Sequence, residues 1–292
     1  MGSSRRACLC WLLVTALCLV GRGARAQAEL QPPAQSSAPA RPEPPAPQPP
    51  RDRDAPVISL LTFGPGDEAF AKFGHNALLV HDPTEQGEAR DLVFNYGTFA
   101  FNSPLLALDF LKGNLRYWLS VGSLQRTVMA YRAANRSVFV RRLALAPEQA
   151  REVARFLYVN AEPENRYYRY DYYRDNCSTR VRDVIDRTLA GALARASQGT
   201  TPFSYRDHTR RLTEGSLLLY FGLDLAMGPN IDRPLSEWEA MFLPAELDGK
   251  VLTLPIEHEG KTQPLVGAVR TLFKATRTDP PATPTLSIWR FL

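Results

Sequence analysis

Cys177 is the residue of this chain whose type and position best suit covalent chemistry. It follows Asp175 and Asn176, two residue types that commonly cap the N-terminus of a helix, and apolar residues then recur at helical spacing over residues 181–189. The unpaired N–H groups and the dipole of a helix N-terminus favour a thiolate over a thiol. The sequence therefore predicts a nucleophilic cysteine with a lowered pKa in the first turn of a helix.

An inert cysteine is the competing interpretation, because free cysteines are among the most buried residue types. Three of the four cysteines, Cys8, Cys10 and Cys18, fall within a predicted export signal, so Cys177 alone would remain after cleavage. A single unpaired thiol in an oxidising compartment is a liability unless it is buried or used. This isolation favours a functional role for Cys177.

Residues 1–26 have the pattern of a cleaved export signal. Arg5 and Arg6 precede an apolar run, and Ala24-Arg25-Ala26 matches a cleavage site. The apolar run is short for a membrane span, and Ser4-Arg5-Arg6 also fits a twin-arginine signal, so the Sec and twin-arginine routes both stay open. We expect an exported protein with no transmembrane segment after signal cleavage.

Signal cleavage also changes the charge of the chain. The full sequence has 35 basic and 30 acidic residues. Four arginines and no acidic residue lie in residues 1–26, which leaves 31 basic residues against 30 and a net charge of about +1. The basic isoelectric point therefore does not indicate a nucleic acid partner, and we expect none.

The remaining chain divides at about residue 55. Residues 27–55 are rich in Pro and Ala and have Leu30 as their one large apolar residue, so we expect a disordered spacer. Residues 56–292 are long enough for one well-buried domain. We expect this domain to be α+β, with an antiparallel sheet and an irregular tail near residues 279–284.

Apolar periodicity places the elements of this domain. Strands are predicted over residues 57–63, 75–81, 92–95, 117–121, 137–145 and about 167–172. Helices are predicted over residues 103–112, 124–134 and 147–158, from Cys177, and from a capping box at residues 236–239. Residues 206–211 are predicted to form a solvated loop, and residues 251–254 with 264–273 a late hairpin. The turn Gly64-Pro65-Gly66 is not a nucleotide-binding loop, because Gly74 interrupts the helix that would have to follow.

His75 is the second residue with a chemical role to consider. If residues 75–81 and 92–95 pair as antiparallel strands, His75 and Asn95 lie at the same edge of the sheet, and Asn95 can orient the imidazole. A structural histidine is the alternative. His81 lies roughly 20 Å along the same strand, too far to share an ion with His75, so we predict no metal site and no cofactor.

Five stretches of the sequence together resemble the Lnb N-terminal periplasmic domain family. They are FGHNAL at 73–78, NYGTF at 95–99, FLKG…Y at 110–117, YDY…DNCSTR at 170–180 and LSEWEAMFLP at 235–244. The family resembles permuted papain-like thiol hydrolases, in which the histidine precedes the cysteine. Position by position, the resemblance implies that Cys177 is the nucleophile and His75 the general base, in a periplasmic domain.

The resemblance also implies an activity. The family's name-giving members are bacterial lipoprotein N-acyltransferases, whose membrane-embedded part has no counterpart here. We therefore expect an acyl-Cys177 intermediate that an amine or water resolves, with an envelope lipid, lipoprotein or peptide as substrate. A cell-wall peptide amidase or peptidase and a non-catalytic periplasmic binding domain are the alternatives, and peripheral membrane contact stays open.

The same acyl-transfer mechanism also requires residues that support Cys177 and His75. Asn95 is the predicted orienting group, and the N–H groups of Cys177 and Ser178 are the predicted oxyanion site. Tyr96 and Tyr172 are predicted to line the substrate cleft, with packing in the core as the alternative fate of these rings.

Overall fold

The computed structural model describes residues 55–83, 89–99, 116–258 and 260–283. These residues form an antiparallel sheet of seven strands, a separate two-stranded hairpin and eight α-helices, so the α+β class is confirmed. The predicted signal, almost all of the predicted spacer and the predicted helix at 103–112 lie outside the described residues.

The strands of the large sheet are β1 (Val57–Phe63), β2 (His75–Pro83), β3 (Ala89–Phe99), β4 (Arg116–Ser123), β5 (Val138–Leu143), β6 (Tyr167–Arg169) and β9 (Val266–Phe273). This sheet is antiparallel throughout and has the strand order β6-β4-β3-β2-β1-β5-β9. The separate hairpin pairs β7 (Pro255–His258) with β8 (Lys261–Pro264).

Strand β1 lies inside the sheet, between β2 and β5, because its side chains are apolar on both faces. Six of its seven residues are buried, which suits an uninterrupted apolar run better than an alternating one. In the antiparallel register with β2, Phe63 at the end of β1 faces His75 at the start of β2. This pairing fixes His75 at one edge of the sheet.

Eight α-helices lie in the described ranges. They are α1 (Leu124–Ala133), α2 (Pro147–Ala161), α3 (Cys177–Thr188), α4 (Ala192–Arg195), α5 (Tyr205–Thr213), α6 (Leu217–Ala226), α7 (Glu237–Ala240) and α8 (Pro244–Thr253). Short 3-10 turns occur at Ala69–Ala71 and Pro229–Ile231.

The two faces of the large sheet are covered differently. On one face, side chains of β1 and β2 such as Leu60 and Leu78 pack against α2, α3 and α8. On the other face, Phe63 and Ala77 pack against Tyr131 of α1. Side chains alternate between faces along a strand, so His75 shares the α1 face with Ala77, whereas Asn76 shares the α3 face with Leu78.

Two predicted elements are wrong. Residues 206–211 lie within helix α5, and His208 is buried rather than solvated. Residues 251–253 end helix α8, and β9 joins the large sheet beside β5 instead of closing a late hairpin. Short apolar runs do not distinguish a buried helix from a strand, and here Leu247 and Val251 bury one helical face in the core.

Helix α6 was not predicted and has an apolar outer face. Leu217, Leu218 and Leu225 are each about half or more exposed. Its Asp224 turns inward and forms ion pairs with Arg206 and Arg210 of α5. None of the helices in the described ranges is both long and apolar enough to cross a membrane.

Candidate functional site

The start of helix α3 is held by a side-chain cap on Asn176. The Asn176 Oδ1 atom accepts hydrogen bonds from the backbone N–H groups of Ser178 at 2.8 Å and Thr179 at 2.9 Å. The Asn176 Nδ2 group donates in turn to the carbonyl of Phe242 at 3.0 Å, which ties the cap to the chain ahead of α8. Cys177 is consequently fixed as the first helical residue.

A bulge in strand β3 makes room for Cys177. The register between β3 and β4 shifts between Asn95 and Thr98, and Gly97 within this bulge has a φ of +89°. A Cβ atom on Gly97 would lie 3.5 Å from the Cys177 Cβ atom and 3.3 Å from the ring of Tyr170. Glycine therefore supplies both the backbone conformation and the space that bring α3 against the sheet.

The Cys177 thiol is buried, with 8% of the residue exposed. Burial raises the pKa of the thiol above its ordinary value of 9.0. The backbone N–H groups of Asn76, Ser178 and Cys177 and the charge of Arg136 act in the opposite direction. The lowered thiol pKa predicted from the sequence is therefore wrong in direction. The N–H groups at the helix start do lower the pKa of Cys177, but desolvation raises it by more.

His75 enters strand β2 through a glycine. Gly74 has a φ of +81°, and a Cβ atom there would lie 2.8 Å from the carbonyl oxygen of Phe63. The His75 ring stacks on Phe63 with 5.7 Å between centroids, and its Nε2 atom lies 3.3 Å from the Asn95 Oδ1 atom. An amide oxygen accepts hydrogen bonds only, so this contact assigns the proton to Nε2 and the lone pair to Nδ1.

The His75 imidazole is neutral at physiological pH. Burial, and then the charge of Arg136, lower its pKa to about 4, while the hydrogen bond to Asn95 raises it. Because the Cys177 thiol is also neutral, the resting site holds a thiol and an imidazole rather than a thiolate–imidazolium pair.

The thiol and the imidazole approach the same end of β2 from different faces of the sheet. The thiol accepts a hydrogen bond from the backbone N–H of Asn76, the residue directly after His75. Helix α3 packs on the face that Asn76 shares, since the Ser178 Oγ atom lies 2.9 Å from Asn76 Oδ1. The catalytic roles predicted for Cys177, His75 and Asn95 stay predictions; the structure places all three at this strand end.

The three predicted substrate-contact residues occupy different environments. Ser178 is completely buried, with its hydroxyl between Asn76 and the carbonyl of Met241 and its N–H engaged by the Asn176 cap, so it presents no surface to a substrate in this conformation. Tyr96 is 2% exposed and packs in the main core. Tyr172 is half-buried, with its ring edge-on to Phe73 at 5.0 Å.

Two other tyrosines, Tyr170 and Tyr117, lie near Cys177. Tyr170 and Tyr117 stack at 4.1 Å, and the Tyr170 ring closes over Gly97 beside Cys177. Burial raises the pKa of both phenols, and a negative charge on Cys177 would raise each further, as expected for neighbours of the thiol. The alternation of Tyr168, Tyr170 and Tyr172 in the sequence was the available signal for Tyr170.

A buried polar network holds the site to the sheet. The Asn76 Nδ2 group donates to Thr62 Oγ1 at 3.0 Å, and Thr62 donates to Asp248 Oδ1 at 2.9 Å. Asp248 in turn accepts from Nε and Nη2 of Arg141. This chain of contacts links the neighbours of Cys177 to α8 and β5, which rigidifies the surroundings of the thiol.

In the described part of the chain no cluster of His, Cys, Asp and Glu is placed to hold a metal ion. His81 instead pairs with Asp91 at 2.7 Å, at the far end of β2 and β3. A small cavity lined by apolar residues such as Ile58 and Val184 lies in the main core, away from the thiol.

The chain matches a family model described as the Lnb N-terminal periplasmic domain. The match covers residues 51–214, which is more than half of the chain and includes His75, Asn95 and Cys177. No curated protein and no solved structure matches the chain.

Proposed function

The chain belongs to the Lnb N-terminal periplasmic domain family, and on that premise we propose that it is an exported, cysteine-dependent acyl-transfer enzyme of the bacterial cell envelope. Family membership supports a role associated with the envelope. The finer proposal is that Cys177 forms an acyl-enzyme intermediate and that His75 is its base. Because His75 precedes Cys177 in the chain, the core would be a permuted form of the papain-like arrangement.

The hydrogen bond between His75 Nε2 and Asn95 Oδ1 is the observation that carries this proposal. It leaves Nδ1 of a neutral imidazole as the proton acceptor, at the strand end where the Asn76 N–H reaches the thiol. Asn95 would hold the ring by hydrogen bonding without adding charge. The proposal requires Nδ1 to approach the Cys177 sulfur within about 4 Å in the reactive state.

In the first half-reaction the thiol attacks a carbonyl carbon of an ester, thioester or amide. The sulfur–carbon bond forms as the thiol proton passes to His75 Nδ1, and the carbonyl electron pair moves to oxygen. The N–H groups of Cys177 and Asn76 would stabilise this oxyanion, because the Ser178 N–H already serves the Asn176 cap. The carbon–heteroatom bond then breaks, and His75 returns its proton to the leaving group.

In the second half-reaction an amine or water resolves the acyl-Cys177. His75 accepts the proton of the attacking nucleophile, and the sulfur leaves and recovers that proton as a thiol. Transfer and hydrolysis differ only in the attacking molecule. The proposed substrates are an envelope lipid, a lipoprotein or a peptide, and a cell-wall peptide amidase would use the same residues.

The proposed organisation keeps residues 1–26 as a cleaved signal, residues 27–55 as a spacer and residues 56–292 as one domain. The family description supports a periplasmic location. The export route, by Sec or twin-arginine, is part of the proposal.

A non-catalytic periplasmic binding domain is the second candidate, and the burial of Cys177 favours it. Structural cysteines are buried with raised pKa values and react slowly, and Cys177 has both properties. This candidate predicts that His75 has no influence on the reactivity of the thiol.

Trapping the acyl-enzyme separates the two candidates. The full chain is incubated with p-nitrophenyl butyrate, and the mass of the Cys177 peptide is measured after an acidic quench. The enzyme proposal predicts a butyryl adduct on Cys177 that forms slowly or not at all in His75→Ala. Equal labelling of wild type and His75→Ala supports the binding domain.

A further inference from the structure

Arg136 is a buried cation that forms no ion pair with a carboxylate within the described part of the chain. It lies in the turn between α1 and β5 and is 1% exposed. Its Nε atom donates to the carbonyl of Gly64 at 2.9 Å, and its guanidinium lies over the ring of Tyr131 at 4.6 Å. Its Nη2 atom has no hydrogen-bond partner among the described residues.

The chain is shaped to enclose this guanidinium. A Cβ atom on Gly66 would lie 2.7 Å from the Ala71 Cβ atom and 3.0 Å from Arg136 Cδ, so the turn Gly64-Pro65-Gly66 closes over Arg136 only with glycine at position 66. Arg277 lies close by, where it donates to the carbonyl of Asn135, the residue before Arg136, at 2.7 Å and to Asp67 at 3.0 Å. Burying an unpaired charge costs free energy of folding. A buried, unpaired Arg136 therefore points to a functional role for its charge.

A continuous stack of rings connects Arg136 to His75. The Arg136 guanidinium lies over the Tyr131 ring, and that ring stacks on Phe63 with 3.9 Å between centroids. Phe63 also stacks on His75, with 5.7 Å between centroids. Rings exclude water from this path, so a charge at one end acts on the other end with little screening.

We propose that Arg136 is a positioning residue of the Cys177 site: its buried charge, at the far end of the ring stack, keeps His75 in the uncharged, proton-accepting form. This inference rests on the proposed function.

The charges around the site support this assignment. The groups that act on His75 are Arg136, from the α1–β5 turn, and its hydrogen-bond partner Asn95 of β3. Burial is the main cause of the lowered His75 pKa and the charge of Arg136 adds to it, whereas at Cys177 the same charge opposes the burial that raises the thiol pKa. Arg136 itself faces Glu68 and Arg277, but Arg277 is engaged with Asp67, and Glu68 forms no ion pair with Arg136 in the residues that the structure describes.

The test is the titration of His75 in neutral and charged variants of Arg136. The full chain, labelled with ¹⁵N-histidine, is titrated by NMR as wild type, Arg136→Gln, Arg136→Met and Arg136→Lys, with His75→Ala to assign the signal. Removing the charge should raise the titration midpoint of His75 by about one pH unit in both neutral variants. Arg136→Lys, which keeps the charge, should stay close to wild type.

Alkylation of Cys177 by iodoacetamide supplies the second readout. Its pH midpoint should rise in Arg136→Gln and Arg136→Met and be rescued in Arg136→Lys. Arg136→Met keeps the methylene stem in its enclosure and replaces Arg136→Gln where that variant does not fold. A folded neutral variant with the wild-type His75 midpoint overturns this inference, whereas insensitivity of Cys177 to His75→Ala overturns the proposed function instead.

Discussion

The His75 Nε2 atom lies 3.3 Å from the Asn95 Oδ1 atom, at the point where strand β3 bulges and α3 begins opposite it. Through this contact one amide selects which imidazole nitrogen carries the proton. The acceptor nitrogen, Nδ1, then remains for the thiol.

Asn95→Ala should slow acylation of Cys177 by p-nitrophenyl butyrate about tenfold or more, because the ring loses its orienting acceptor. The rate is followed by release of p-nitrophenol at a pH of about 7. Asp91→Ala is the matched control, since it removes the partner of His81 at the other end of the same two strands. Equal acylation rates for Asn95→Ala and Asp91→Ala would show that Asn95 does not orient the His75 ring.

Gly97→Ala should destabilise the fold by about 1–2 kcal/mol, because an L-residue is strained at its left-handed φ. The added methyl also meets Tyr170 and Cys177, so acylation should fall as well. The free energy of unfolding is measured in urea. Gly249→Ala is the control: it lies in helix α8 with no atom within 4 Å of the new Cβ, and it should be neutral or stabilising by up to about 1 kcal/mol. Similar effects at both positions would contradict the role given to the bulge.

Asp248→Asn should destabilise the fold by about 3–5 kcal/mol, because it leaves Arg141 as an uncompensated buried charge. Thr62 and Asn76 depend on the same carboxylate, so the thiol should also become more accessible to alkylation.

Asp279→Asn is the surface control for this network. The carboxylate of Asp279 is exposed and lies 4.0 Å from the ammonium group of Lys274, which is exposed as well. Loss of the Asp279 carboxylate should change the free energy of unfolding by less than about 1 kcal/mol. A loss below about 1 kcal/mol in Asp248→Asn would show that the buried network does not anchor the sheet.

His208 should make the fold sensitive to acid. Burial and then Arg211 lower its pKa to about 4, and the Arg211 Nε atom donates to the unprotonated Nδ1 at 3.0 Å. The unfolded chain therefore binds the proton first, so stability is complete above pH ~6.5 and falls as the pH drops towards ~4. The loss for this one buried residue approaches about 3 kcal/mol at full effect.

Urea unfolding at several pH values measures this dependence in wild type, His208→Gln and His81→Gln. His208→Gln should flatten part of the decline between about pH 6.5 and 4, and His81→Gln, at an exposed position, is the matched control. His75 adds a second contribution of the same sign. Superimposable curves for wild type and His208→Gln would show that the buried imidazole does not couple to folding.

The sequence predicted the elements whose signals are local. The Asn176 cap, the capping box at Ser236 and the apolar run of β1 each depend on residues a few positions apart, and the structure has all three. The antiparallel pairing that brings His75 and Asn95 to one edge followed from the same kind of signal.

The features that escaped prediction depend on contacts across the chain. Arg136 appears in the sequence as one of many arginines, and only the closure of Gly64–Gly66 and Arg277 around it shows that it is buried. The direction of the Cys177 pKa likewise depends on how much protein covers the thiol, which a helix-start pattern does not contain. Residues 206–211 are mostly polar, yet His208 turns into the core against Phe242.

The central claim is that Cys177 becomes acylated and that His75 takes its proton. The most direct measurement is mass analysis of the Cys177 peptide after the full chain is incubated with vesicles of phosphatidylethanolamine and phosphatidylglycerol, with p-nitrophenyl butyrate as the soluble probe. We predict an acyl adduct on Cys177 in wild type, its absence in Cys177→Ser, and a strongly reduced rate in His75→Ala. An unmodified Cys177 under both conditions, together with alkylation that His75→Ala leaves unchanged, would contradict the account.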